Sequence, residues 1–379
     1  MTDTEYQPMQ TKIPCVMMRG GTSKGTYFIA SDLPKDEKLL EEILLSVMGS
    51  PDVRQIDGLG GADPLTSKVA IIQASEREGV DLDYLFIQVF VDEARTSTLQ
   101  NCGNILAGVG PFAIENGLVK PNDPETTLTI YLENSDSIAD VTFLTPGGVV
   151  KYDGDARIDG VPGTASPIMI SFRDTEGSTC GSLLPTGNLV DTIDGVDVTC
   201  IDNGMPVVLF EATAMDRTGY ESRDDLNADV ELKKSIEAIR VAIGRKMNLG
   251  DVTNKTVPKM TMVSPPQMGG AICTRSFIPH DCHAAIGVFA AVSVGTAIAL
   301  PGTVAHRVGV LPSGTTKLVS VEHPTGEISV KMNIDETGGK TKVKKADILR
   351  TTRRLFEGQV LVPYGVWNGK IKSKSRAAV

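Results

Sequence analysis

The densest group of chemically useful residues is Met18-Arg19-Gly20-Gly21-Thr22-Ser23-Lys24-Gly25, with three glycines, two hydroxyls and two cations after a short apolar run. Such a loop suits a carboxylate. Glycines let backbone N–H groups approach an anion, Thr22 and Ser23 add donors, and Arg19 can give two parallel bonds. It is not the phosphate loop of an NTPase, whose lysine directly follows its last glycine, because Lys24 precedes Gly25. The plain alternative is a glycine-rich turn with solvated cations.

A second group, DGLGGADPLTSK, ends at Lys68 just before the apolar stretch Val69–Ile72, so Lys68 sits at a strand edge. A lysine there is ordinarily solvated. In a closed cleft beside Arg19 the neutral amine would be favoured, and Lys68 would become a usable general base. The third group, Asn101-Cys102-Gly103-Asn104, opens a helix with apolar or small residues on every side as far as Glu115. Unpaired N–H groups and the positive end of the helix dipole favour both a carboxylate and a thiolate there, which would let Cys102 exchange protons. A buried structural thiol is the commoner fate of a lone cysteine.

Three further clusters lie in the second half. Thr274-Arg275-Ser276 repeats the chemistry of Arg19 and Ser23, a second carboxylate clamp that would imply a substrate with several carboxylates. His280, Cys282 and His283 invite a metal reading, but H-x-C-H has no helical i,i+4 pair and His306 and His323 are distant, so no metal is expected. Asp202-Asn203-Gly204-Met205-Pro206 reads as a turn entering a strand, with a role lining a cleft as the alternative.

These groups need a scaffold, and 379 residues with 41% apolar content point to two domains, each with its own core. A net charge of −10 disfavours nucleic acid or an anionic membrane as partner. The start, MTDTEYQPMQTKIP, lacks the basic-then-apolar order of a secretory signal, and six scattered cysteines without a CxxC fit reduced thiols, so a cytoplasmic protein is expected. Ala284–Leu300 is uncharged but too short to span a membrane, and reads as a buried helix.

Alternation and β-branched content predict strands over Tyr84–Val91, Leu128–Leu132, Val141–Leu144, Pro206–Phe210, Lys317–Val321 and Glu327–Met332. Leu39, Leu40, Ile43, Leu44, Val47 and Met48 form a helical stripe stopped by Gly49-Ser50-Pro51, and Ile236, Ile239, Ile243 and Met247 form a second. Aligning CGNILAGVGPFAI from Cys102 with CHAAIGVFAAVSV from Cys282 puts a cysteine immediately before each enclosed helix and suggests a duplication. The expected architecture is α+β: domains 1–190 and 191–379, each a curled, mostly antiparallel sheet around one apolar helix, with the terminal strand able to cross over. The two helix starts are expected to face a shared cleft.

Read together, MRGGTSKG, DGLGGADPLTSK, QNCGNILAGVGPFA, CIDNGMPVV, TRSFIPH and CHAAIGVFAAVS resemble the 2-methylaconitate isomerase and 4-oxalomesaconate tautomerase family over nearly the whole chain. The wording is most like the 4-oxalomesaconate branch. The resemblance implies a fold related to diaminopimelate epimerase, with two pseudo-symmetric halves. It also implies proton transfer by Lys68 and Cys102 without metal or organic cofactor. Substrate carboxylates would be held by Arg19, Gly20, Gly21, Thr22 and Ser23, by Asn101, Gly103 and Asn104, and by Arg275 and Ser276. The implied partner is a small unsaturated keto-polycarboxylate from bacterial breakdown of gallate, protocatechuate or lignin-derived aromatics, with a homodimer as candidate assembly. 2-Methylaconitate from propionate metabolism is the rival substrate. The roles of Cys282 and His283 stay open, as does which of Lys68 and Cys102 takes the proton.

Overall fold

A computed structural model describes residues 10–99, 101–335 and 342–369. Most of the N-terminal run read for a leader, Gln100 and the last ten residues lie outside them. The chain divides into two compact units, one of residues 1–157, 163–170 and 350–379, the other of 158–162 and 171–349. Residues 171–190, assigned from sequence to the first domain, therefore belong to the second unit, and the segment from Arg350 returns to the first.

The first unit contains β1 (Gln10–Gly20), β2 (Ser23–Ile29), α1 (Glu37–Met48), β3 (Lys68–Ala74), β4 (Leu82–Val89), the short β5 (Thr96–Ser97), α2 (Gly103–Glu115), β6 (Glu125–Leu132), β7 (Ser137–Leu144) and most of β8 (Pro167–Phe172). The second contains β9 (Asp191–Ile193), β10 (Val196–Asp202), β11 (Pro206–Glu211), α3 (Arg223–Ala228), α4 (Val230–Gly244), β12 (Lys259–Ser264), β13 (Ile272–Phe277), α5 (Val288–Ala299), α6 (Val304–Val308), β14 (Thr316–His323) and β15 (Gly326–Asp335). The final strand, β16 (Lys342–Pro363), starts in the second unit and ends in the first.

In the first unit the hydrogen-bonded order is β1-β2-β3-β4-β6-β7-β8-β16, and β16 pairs back to β1, so the sheet closes around α2. Alternation sorts its side chains. Phe28, Val69, Ile71, Ile87 and Val89 point outward into a core with Ile43, Leu44, Val47 and Met48 of α1. That helix starts where Asp36 accepts from the Leu39 amide at 2.9 Å and stops at left-handed Gly49, φ 79°. The inward face packs on α2, whose buried run from Ile105 to Ala113 has no polar stripe. Small residues allow that closeness: a Cβ on Gly108 would stand 2.6 Å from the Tyr27 hydroxyl, and one on Gly110 2.5 Å from the Phe143 ring.

The strand pairings reveal the duplication more firmly than the residue alignment. Along β1-β2-β3-β4-β6-β7 they run antiparallel, parallel, antiparallel, parallel, antiparallel. Along β10-β11-β12-β13-β14-β15 they run the same way. In each unit the first parallel crossover carries the amphipathic helix and the second the enclosed one. Antiparallel pairs outnumber parallel ones in each unit, as expected, and the parallel pairs fall at the two crossovers that carry helices. One correction concerns Cys282. It lies six residues before α5 in an isolated bridge with Phe277, and Gly287 takes the N-cap.

Candidate active site

Lys68 is the first residue of β3, 6% exposed, and its inward direction follows from Val69 and Ile71 pointing outward. Its Nζ donates to Gln88 Oε1 at 2.6 Å and lies 5.0 Å from the centre of the Phe86 ring. Gln88 is held rigidly, since its Nε2 donates to the carbonyls of Pro64, Ser67 and Val89 at 3.0–3.1 Å. The glycine-rich loop before Lys68 is pinned by buried Gln55, whose Oε1 accepts from Ala62 N at 2.8 Å and Ser67 Oγ at 2.7 Å.

Gln88, Phe86 and Tyr84 alternate along β4 and share the face of Lys68. At the end of that row the Tyr84 hydroxyl reaches the Cys102 carbonyl at 3.5 Å, while Tyr27 donates to Ile105 O at 2.6 Å. Burial raises both phenols well above their ordinary pKa, so they stay neutral and act as braces for the first turn of α2. Gly25, paired with Lys68, touches that same turn: a Cβ there would meet Lys68 O at 2.6 Å and Ile105 Cδ1 at 3.2 Å. Lys68 and the start of α2 thus share one inward face within one unit.

Cys102 is the half-buried N-cap of α2, and no side chain caps this helix. By contrast Asp36, Ser222, Asp229 and Thr303 cap α1, α3, α4 and α6. Amides left open at a helix start suit an anion. The Arg19–Lys24 hairpin packs onto this turn: a Cβ on Gly20 would fall 2.2 Å from the Asn104 carbonyl, and one on Gly21, φ 51°, 2.2 Å from Asn104 Oδ1. Asn104 Nδ2 donates to Thr22 Oγ at 3.0 Å and Ser23 Oγ at 3.3 Å. Both hydroxyls therefore accept, which leaves their protons to donate onward.

Arg19 spends Nη1 on the carbonyls of Gly21 and Thr351 and on the Thr351 hydroxyl, at 2.8–3.0 Å, so it ties the hairpin to β16. Asn101 donates to Ser135 Oγ, and its buried Oδ1 has no partner. In the second unit, Arg275 and Ser276 are consecutive in β13 and take opposite faces. Arg275 donates to Glu221 O at 2.9 Å and Cys273 Sγ at 3.3 Å, whereas Ser276 meets Thr261 Oγ at 3.2 Å. Cys282 is buried in the core under α4, which pushes its thiol up to about 11 although Arg275 and Arg223 pull the other way. His280 lies 3.4 Å from Glu237.

Sequence reasoning missed Gln88, Tyr84, Tyr27 and Arg350. The first two were readable as an alternating row with Phe86. Arg350 carries no local signal. Its Nε donates to Asn104 Oδ1 at 3.0 Å across 246 residues of chain. A cavity of about 550 Å³ lies at the other end of α2, beside Cys15, Glu115 and Arg354, away from these groups. Among the described residues no helix is long and apolar enough to cross a membrane.

Residues 10–363 match the family model described as PrpF protein. The chain belongs to the PrpF family. This PrpF protein is 59% identical over 349 residues to the (4E)-oxalomesaconate Delta-isomerase of Novosphingobium sp. (strain KA1), covering 92% of this chain and 97% of the relative. It is 53% identical over 363 residues to the 4-oxalomesaconate tautomerase of Pseudomonas putida, covering 96% and 99%. The crystal structure of methylitaconate-delta-isomerase superposes with a TM-score of 0.86 at 36% identity, covering 97% of this chain and all of that one. The protein is an isomerase of the α+β class to which that structure belongs.

Proposed function

We propose that this PrpF protein moves a proton within 4-oxalomesaconate, by keto–enol tautomerisation or a 1,3-allylic shift, using Lys68 and Cys102 and no metal or organic cofactor. The observation that carries the reading is the row Lys68, Gln88, Phe86 and Tyr84, which ends on the open start of α2 at Cys102. The proton to be moved is acidic because the carbanion left behind is conjugated to keto and carboxylate groups. One of the two residues removes it, and the other returns a proton to the dienolate, at a different carbon for the allylic shift or at the keto oxygen for the enol. The open amides of α2 and the hydroxyls of Thr22 and Ser23 bind carboxylate and stabilise the dienolate. Asn101, Gly103 and Asn104 belong to the same anion site.

Arg275 and Ser276 stay carboxylate-binding candidates within the second unit, one on each face of β13. The proposal extends to a cytoplasmic homodimer acting in bacterial breakdown of gallate, protocatechuate or lignin-derived aromatics, with the acid/base pair in the N-terminal domain. Proton NMR of 4-oxalomesaconate with the enzyme in deuterated water tests it. Deuterium at the carbons joined by the shift is the expected result. No exchange with 4-oxalomesaconate, with rapid turnover of 2-methylaconitate instead, would transfer the activity to that acid.

A further inference from the structure

We propose that Arg350 is a positioning residue of this site: it fixes the Asn104 amide that turns Thr22 and Ser23 toward a bound carboxylate, and it holds a buried positive charge beside Cys102. The inference rests on reading the start of α2 as the anion site.

Residue 350 is brought there by strand pairing. Gly20 pairs with Thr352, Gly21 N donates to Thr351 O at 2.8 Å, and Arg19 Nη1 grips both the carbonyl and the hydroxyl of Thr351. The next residue inward is Arg350. Its Cδ would stand 3.1 Å from a Cβ on Gly21, so a side chain at Gly21 would press on both Arg350 and Asn104. Gly21 is thus required by Asn104 and Arg350, and Gly20 by the backbone of the α2 turn, before any substrate is considered.

The bond from Arg350 Nε to Asn104 Oδ1 settles which way the amide faces. With the oxygen committed to a cation, Nδ2 must turn to Thr22 and Ser23, and their hydroxyl protons turn away from it. A lysine has no planar fork with which to hold that geometry. The guanidinium is 8% exposed, and burial brings its pKa down to about 10 while Cys102 opposes the change. It therefore keeps its charge at neutral pH, bonded directly to Asn104, two residues along the chain from Cys102. A fixed cation at an open helix start raises the affinity for carboxylate and the thiolate fraction of a neighbouring cysteine together.

The test uses full-length Arg350→Met, Arg350→Lys and Asn104→Ala proteins. The first readout is the iodoacetamide alkylation rate of Cys102 at pH 7, followed by peptide mass spectrometry, which needs no substrate. The expected result is a fall of about fivefold or more in Arg350→Met and near-native reactivity in Arg350→Lys, where the charge survives. The second is the kcat and KM for 4-oxalomesaconate. Arg350→Lys and Asn104→Ala should both raise KM about tenfold with a smaller change in kcat, because an unoriented amide weakens carboxylate binding. An Arg350→Met protein that melts like the native one, alkylates at the native rate and keeps its KM would overturn the proposal. Should that variant fail to fold, an unchanged KM in Arg350→Lys does the same. Absence of any turnover of 4-oxalomesaconate by the native enzyme would sink the functional reading alone and leave the alkylation contrast standing.

Discussion

The two units use one sequence of strand pairings for different ends, and the contrast is clearest where each hairpin meets its enclosed helix. In the first, Gly20-Gly21-Thr22-Ser23 packs on the α2 turn through Asn104, and Cys102 takes the N-cap. In the second, the Asp202–Pro206 hairpin packs on α5 by inward polar bonds: Asn203 N donates to Ser293 Oγ at 3.0 Å and its Nδ2 to Thr296 Oγ at 2.9 Å. Gly204, φ 87°, lies under the Phe289 ring. One hairpin turns its donors outward from the helix and the other commits them to it. A duplicated scaffold can thus keep its core while its two hairpins spend their polar groups differently, although both enclosed helices start without a side-chain cap.

The largest effect that would sharpen this contrast is loss of the proposed acid/base pair. Lys68→Ala and Cys102→Ala should each slow deuterium exchange into substrate by about 10²–10⁴-fold, whereas Cys282→Ala should stay within a few-fold, since its thiol is buried in the core under α4. Comparable losses at Cys102 and Cys282 would break the distinction. Next comes space. Gly20→Ala drives a methyl to 2.2 Å from a backbone carbonyl, and should cost roughly 1–3 kcal/mol in denaturant melts and most of the activity. Gly287→Ala, at the N-cap of α5, meets nothing within 4 Å and should leave activity intact.

A smaller effect concerns alkaline stability. Burial raises the Cys282 thiol to about 11 and, with Asp202 adding to it, the Cys180 thiol to about 12, against 9.0 ordinarily. The folded state binds these protons more tightly than the unfolded chain. Their contribution is therefore intact below about pH 9 and lost as the pH climbs through 11 and 12. Thermal melts should show a falling Tm above pH 9, with a shallower slope in Cys282→Ala. The smallest effect is at the α1 cap, where Asp36→Ala removes the acceptor for Leu39 N and should cost about 1 kcal/mol without touching KM.

Much of the candidate site was legible because its groups are local. The hairpin Arg19–Lys24, the run to Lys68 and the NCGN start of α2 are contiguous words whose residue types state their chemistry. The duplicate was legible in composition but shifted in register. Cys282 looks like a helix start beside Ala284 and Ala285, yet β13 continues through a turn into its bridge with Phe277 and α5 waits until Gly287 has passed. Gln88 hid as an ordinary strand residue, although its position opposite Lys68 in the antiparallel ladder makes it the lysine's acceptor.

Sequence alone determined the periodicities that make α1 amphipathic and α2 apolar all round, the glycines at the hairpin, and the residues able to exchange a proton, because each of these is set by neighbours within a turn or two of chain. Tertiary structure decided the rest. Only closure of the first sheet by β16 brings Arg350 onto Asn104, and only strand alternation turns Lys68, Gln88, Phe86 and Tyr84 to the side of α2. Those are contacts between residues tens to hundreds of positions apart, and no local preference encodes them.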